Sequence, residues 1–143
     1  MDTIRDLMTE NVDSCSLLDN VYEVAVKMKE LNVGAIPIVD QERLVGMITD
    51  RDIVTRCVAE KKPASSKVEE IMSRELVTIS SDDTSKEAVR LMSEHQIRRL
   101  PVVEGDKLVG IVSLGDFATH QLTDEQAGDA LSNISETNNE LQH

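Results

Sequence analysis

Residues 44–53 read LVGMITDRDI and residues 108–117 read LVGIVSLGDF. Both run Leu-Val-Gly, two apolar residues, a hydroxyl, two variable residues, an aspartate and an apolar residue. Outward from this phrase, a shift of 64 residues lays segment 4–58 on segment 68–122 without a gap. Met8 falls on Met72, Asp19 on Asp83, Glu23 on Glu87, Met28 on Met92, Pro37 on Pro101 and Gly46 on Gly110. Self-similarity at a long fixed period means that one structural unit is used twice.

Each copy reads in the same order. A short lead, IRDLMT or VEEIMS, precedes a short strand in NVDSCS or LVTISS. A helix follows, with Val21, Val24, Ala25, Met28 and Leu31 at helical spacing. Thr84 with Glu87 three residues on is a capping-box pattern, and Asn20 with Glu23 stands in those places in the first copy. AIPIVD and RLPVVE are β-rich, with a proline where a strand start or an edge tolerates it. A turn, another strand and a helix opening at Asp50 or Leu114 complete the unit. The expectation is an α/β (α+β) chain of two β-α-β-β-α repeats. Repeat 1 spans 1–60, a polar linker 61–67 and repeat 2 68–122. Residues 123–143 form an acidic, partly disordered tail with room for a short helix around 125–134.

Composition narrows the function. A chain of 143 residues can bury a sizeable core. Its net charge of −12 argues against nucleic acid, which needs a basic surface, and against an anionic membrane. Five of the acids lie in the tail, so the repeats are less acidic than the total suggests. No run approaches the ~20 apolar residues of a membrane span. The N-terminus, MDTIRDLMTE, lacks the basic and apolar regions of a signal peptide. Cys15 and Cys57 have neither CxxC nor metal-ligand spacing, so the expected location is the cytoplasm, with both thiols reduced. Tyr22 and Phe117 are the only aromatic residues, so stacking cannot be the main grip on a base.

Two readings stand for Thr49-x-x-Asp52 and Ser113-x-x-Asp116. The hydroxyl and the aspartate can cap the following helix. The same geometry can hold a ligand, because a carboxylate there could accept both hydroxyls of a ribose diol. Gly46 and Gly110 mark either a bulge or bend in the strand or a close backbone approach to a ligand. Arg98 and Arg99 are adjacent in a strand and point to opposite faces, so one can meet a phosphate that guanidinium grips bidentately. The first copy has Gly34-Ala35 there, so the copies are unequal; Arg51 is a second phosphate candidate. His95, His120 and His143 show no metal spacing, and Met28 and Met92 read as core. No catalytic Ser-His-Asp set, general-base pair or phosphate-binding loop of the Walker type is present, so no enzyme is expected.

Taken together, the leads MTENV and MSREL, the strands NVGAIPIVD and QIRRLPVVE, and the ends GMITDRDI and GIVSLGDF resemble a tandem pair of CBS domains, a Bateman module. The likeness covers about residues 4–122 and is nearest to free-standing bacterial CBS-domain proteins. It implies two repeats packed with pseudo-twofold symmetry and frequent homodimerisation. It also implies regulation through an adenosyl ligand, such as AMP, ADP, ATP, NAD or S-adenosylmethionine, bound in clefts between the repeats. No catalytic cofactor is implied, and the regulated protein partner is not named by it.

The resemblance also implies a crosswise arrangement, in which the hydroxyl and Asp of one repeat meet the first strand and pre-proline segment of the other. One cleft would then use Thr49 and Asp52 for ribose, with Leu76, Val77, Ile97 and Pro101 about the adenine. Arg99, with Arg98 and Arg51, would meet the phosphate. The other would use Ser113 and Asp116 with Val12, Val33, Gly34, Ala35 and Pro37, and Asp13 would repel an anion there. On this arrangement the Thr49 cleft is the better phosphate site. The alternative is a dimeric interaction scaffold with vestigial clefts.

Overall fold

A one-turn helix α1 (Ile4–Leu7) starts the chain, followed by β1 (Cys15–Ser16), α2 (Val21–Leu31), β2 (Ala35–Asp40) and β3 (Arg43–Thr49). A single turn of α-helix, α3 (Asp50–Asp52), continues through Ile53–Val58 with wider π-type hydrogen bonds, such as Ala59 N–H to the Val54 carbonyl at 2.8 Å. A 3₁₀ turn at Val68–Glu70 leads to β4 (Ile79–Ser80), α4 (Ser85–His95), β5 (Arg99–Glu104), β6 (Lys107–Ser113) and α5 (Leu114–Thr119). The computed structural model describes residues 3–119; the expected tail helix, His120 and His143 lie outside the described residues.

The order β-α-β-β-α therefore occurs twice. In the first copy β1 lies parallel to β2, and β2 antiparallel to β3. In the second, β4 lies parallel to β5, and β5 antiparallel to β6. The chain divides into two compact units. Asp13–Leu76 is the first, and the described residues on either side of it, 3–12 and 77–119, make the second.

This division crosses the repeats. Lead α1 belongs to the first repeat, yet Ile4 and Leu7 are buried with Ile79, Met92, Leu100, Val112 and Phe117 of the second. The second repeat's lead answers in kind: Val68, Ile71 and Met72 are buried with Cys15, Val24, Ile38, Ile48 and Cys57 of the first. The hydrogen bonds correspond one to one. Ile4 N–H donates to the Asp83 carbonyl at 2.9 Å, and Val68 N–H to the Asp19 carbonyl at 3.3 Å. Thr9 exchanges two backbone bonds with Ile111 at the outer edge of β6, and Ser73 does the same with Met47 on β3.

That edge contact explains the prolines. Met47 turns its N–H and C=O outward to Ser73, so its partner Pro37 must also turn its nitrogen away from β3. β1 does not reach that point, since it pairs only with Ile38 and Val39. Proline thus sits where no N–H is needed, and Pro101 opposite Ile111 repeats the arrangement.

It also explains the glycine of the duplicated phrase. A methyl at Gly46 would lie 2.5 Å from Met72 Sδ and 3.1 Å from the Ser73 carbonyl oxygen; at Gly110 it would lie 2.6 Å from Met8 Sδ and 3.0 Å from the Thr9 carbonyl. The close approach is by the exchanged lead of the other repeat. A bulge falls at the same place: Ile38 pairs with Gly46 and Val39 with Leu44, which leaves Val45 as the extra residue of β3, and Val109 is its counterpart in β6.

The caps differ between copies. Asn20 and Glu23 form the reciprocal box, each side chain accepting from the other's N–H at 2.9 and 3.2 Å. Thr84 accepts from Glu87 N–H at 3.3 Å, but Glu87 turns its carboxylate to Arg90 at 2.6 Å, leaving the box one-sided. In α2, Val21, Val24 and Met28 are buried while Leu31 emerges at the surface.

Replacing Gly110 with Ala should cost about 1–3 kcal/mol, the usual range for overpacking. Met8→Ala should relieve part of that loss, because the methionine can yield while the Thr9 backbone cannot. Urea unfolding of both single variants and the double variant measures the coupling, and strict additivity would contradict the contact.

Candidate functional site

The turn between β2 and β3 fixes the site. Gln41 and Glu42 both have positive φ, 50° and 72°, the backbone of a two-residue hairpin turn. The register that follows sets Asp40 opposite Arg43 and, past one bulge, Ala35 opposite Thr49. Asp50 N–H then donates to the Gly34 carbonyl at 2.9 Å. The second hairpin repeats this: Arg99 faces Ser113, and Leu114 N–H donates to the Arg98 carbonyl at 3.0 Å.

Each pre-proline segment therefore adjoins the hydroxyl-x-x-Asp of its own repeat. The resemblance implied a crosswise arrangement; within each unit these two pieces come from the same repeat. Val33, Gly34, Ala35 and Pro37 accompany Thr49, Arg51 and Asp52. Ile97, Arg98, Arg99 and Pro101 accompany Ser113 and Asp116. The physical reason is hairpin arithmetic: the residue that opens the first strand must face the residue that closes the second. That signal was present in the turn length.

The reciprocal cap forms at Thr49 and Asp52, whereas at Ser113 and Asp116 only the aspartate half of it forms. Asp52 N–H donates to Thr49 Oγ1 at 3.0 Å and Thr49 N–H to Asp52 Oδ2 at 2.9 Å. Ser113 N–H donates to Asp116 Oδ2 at 2.8 Å, and the Ser113 hydroxyl to the same oxygen at 3.2 Å. An ionised carboxylate has about four lone-pair sites, so capping leaves acceptor capacity on each aspartate. Asp52 keeps 18% of its side chain exposed, with Oδ1 3.9 Å from Arg56 Nε.

The other residues divide by unit. Pro37 and Pro101 are buried. Val33 packs on the first core, and Val77 and Ile97 on the second. Val12 and Leu76 are half-buried and stand where the chain passes from one unit to the other, while Asp13 is exposed. Arg51, Arg98 and Arg99 are all exposed. Among the described residues their side chains make no hydrogen bond or ion pair. Arg5, Arg56, Arg74 and Arg90, by contrast, are tied to carboxylates or carbonyls. Asp50 was missed from sequence. Its carboxylate leans over Gly34, with Oδ2 3.2 Å from where a side chain there would begin.

The family model of the CBS domain matches residues 4–59 and 68–122. The protein YlbB of Bacillus subtilis (strain 168) is 52% identical over 141 residues, covering 97% of this chain and 95% of that protein. The crystal structure of Hypoxic Response Protein I with two coordinated zinc ions has a TM-score of 0.76 at 35% identity, covering 84% of this chain and 99% of that one. The CBS domain pair of protein MJ0100, solved in complex with 5′-methylthioadenosine and S-adenosyl-L-methionine, has a TM-score of 0.72 at 29% identity over 84% and 95% of the two chains. Among the described residues of this chain, no group of three or more His, Cys, Asp or Glu side chains could hold a metal ion.

Thr49→Ala removes the Oγ1 acceptor and should lower unfolding free energy by about 0.5–2 kcal/mol, the usual cost of losing such a cap. Thr49→Ser should restore most of it. Chemical denaturation of the three proteins checks the cap independently of any ligand.

Proposed function

The chain belongs to the CBS-domain family, and from that premise we propose a regulatory module that binds adenosyl nucleotides at its two hydroxyl-x-x-Asp clusters. The observation that carries this reading is that one hairpin sets each hydroxyl-x-x-Asp beside the pre-proline segment of its own repeat. The adenosyl complexes of the MJ0100 CBS pair supply the ligand class. Asp52 and Asp116 would each accept the two hydroxyls of a ribose diol with the lone pairs that capping leaves free. Val33 and Ile97 would flank the adenine, so no aromatic stacking is needed. A phosphate would go to Arg98 and Arg99, beside Ser113 and Asp116. Regulation requires that the ligand bind one conformational state more tightly than another. Among the described residues no helix is long and apolar enough to cross a membrane. The buried free thiols of Cys15 and Cys57 suit a reducing cytoplasm.

The proposed assembly is a homodimer through the first unit. Leu18, Tyr22, Val54 and Val58 are exposed there at 93%, 62%, 59% and 66%. Tyr22 N–H donates to the Ala64 carbonyl and Lys62 N–H to the Cys57 carbonyl, which ties the start of α2 to the segment after Val58. The repeat provides its own control: Asp82 and Lys86 stand where Leu18 and Tyr22 stand, so the fold itself does not require apolar residues there. A second copy of the same face is the self-complementary way to cover them.

Calorimetry with AMP, ATP, NAD and S-adenosylmethionine should give saturable binding of at least one. No binding to a folded protein would leave the scaffold reading. For AMP, Asp116→Ala should weaken binding more than Asp52→Ala, by roughly 10- to 100-fold against wild type, the worth of hydrogen bonds to a charged group. Sedimentation equilibrium tests the assembly: wild type should be a dimer and Val54→Glu/Val58→Glu a folded monomer, whereas a dimer in both would place the interface elsewhere.

A further inference from the structure

The two clusters differ in the charge they present, and the difference is built from four aligned positions. Around Thr49 stand Gly34, Ala35, Asp50 and Arg51; around Ser113 the same places hold Arg98, Arg99, Leu114 and Gly115. With Asp52 and Asp116 included, the first set carries a formal charge of −1 and the second +1. The geometry makes this local. Asp50 is anchored by its N–H to the Gly34 carbonyl at 2.9 Å, and its carboxylate leans over Gly34, the place taken by Arg98 in the other unit. Oδ1 of Asp50 accepts from Arg51 N–H at 2.8 Å, which holds the carboxylate beside the hairpin. In the second unit Leu114 replaces that anion, and Arg98 and Arg99 have no other partner among the described residues.

We propose that the two clusters select adenosyl ligands by opposite charge at the 5′ end. The Ser113 cluster takes a 5′-phosphate, and the Thr49 cluster takes a neutral or cationic 5′ substituent, with Asp50 the residue that rejects phosphate. This rests on the adenosyl reading above and adds the assignment of ligand class to each cluster. Like charge within reach of Asp50 disfavours an anion by ordinary electrostatics, and the effect falls as salt screens it over a Debye length of about 8 Å at physiological ionic strength.

The probes are AMP, with an anionic 5′ end, and 5′-methylthioadenosine, with a neutral one. Asp52→Ala isolates the Ser113 cluster and Asp116→Ala the Thr49 cluster. By calorimetry the Asp52→Ala protein should favour AMP by roughly tenfold or more, and the Asp116→Ala protein should favour 5′-methylthioadenosine. Adding Asp50→Leu to Asp116→Ala, which installs the residue found at position 114, should shift the preference toward AMP by roughly tenfold, and 0.5 M salt should shrink that shift. The same preference at both clusters, or an Asp50→Leu exchange without effect on the ratio, overturns the charge assignment while leaving adenosyl binding intact. Failure of wild type to bind either probe overturns both. Circular dichroism and thermal melting establish that each variant is folded.

Discussion

Everything in this structure depends on a methionine lying across a glycine. Met72 covers Gly46 and Met8 covers Gly110, so each lead segment closes the unit whose strands come from the other repeat. The contact is small, but it sets the backbone of the lead at bonding distance from the outer edge of the last strand. Without the lead, the outward N–H and C=O of Met47 and Ile111 would lose these partners. The exchanged lead satisfies part of that edge and fills the core with Ile4 and Leu7, or with Val68 and Ile71.

The functional clusters inherit their positions from the same hairpins. Gly46 lies three residues before Thr49, and Gly110 three before Ser113. The glycine end of the strand is locked by the lead, and the hydroxyl end is locked by the helix cap. The strand is thus held at both ends, and the residues beside the aspartate differ between the two copies. One frame carries Asp50 and Arg51; its twin carries Leu114 and Gly115.

Much of this was legible before any coordinates. The repeat, the element order, the buried face of α2 and the helix starts at Asp50 and Leu114 follow from periodicity and capping chemistry. The exchange of leads was not legible, and the reason is plain: Ile4, Leu7 and Met8 match Val68, Ile71 and Met72 in apolar pattern, so either lead would suit either core. The location of Arg98 and Arg99 beside Ser113 was readable, because the two-residue turn fixes the register, but the crosswise arrangement implied by the resemblance set them with Asp52 instead. Asp50 was passed over because a charged residue at a variable position reads as solvent-facing until the hairpin shows it over Gly34.

The exchanged leads bear on how such a chain could arise. A protein made of one repeat would carry a lead suited to a core identical to its own. Two such chains could trade leads and form the same pair of closed units with every contact described above. Joining them end to end would then require a linker and no new packing. A duplicated sequence with exchanged leads is what such a joining would leave, and the two halves of this chain differ in charge.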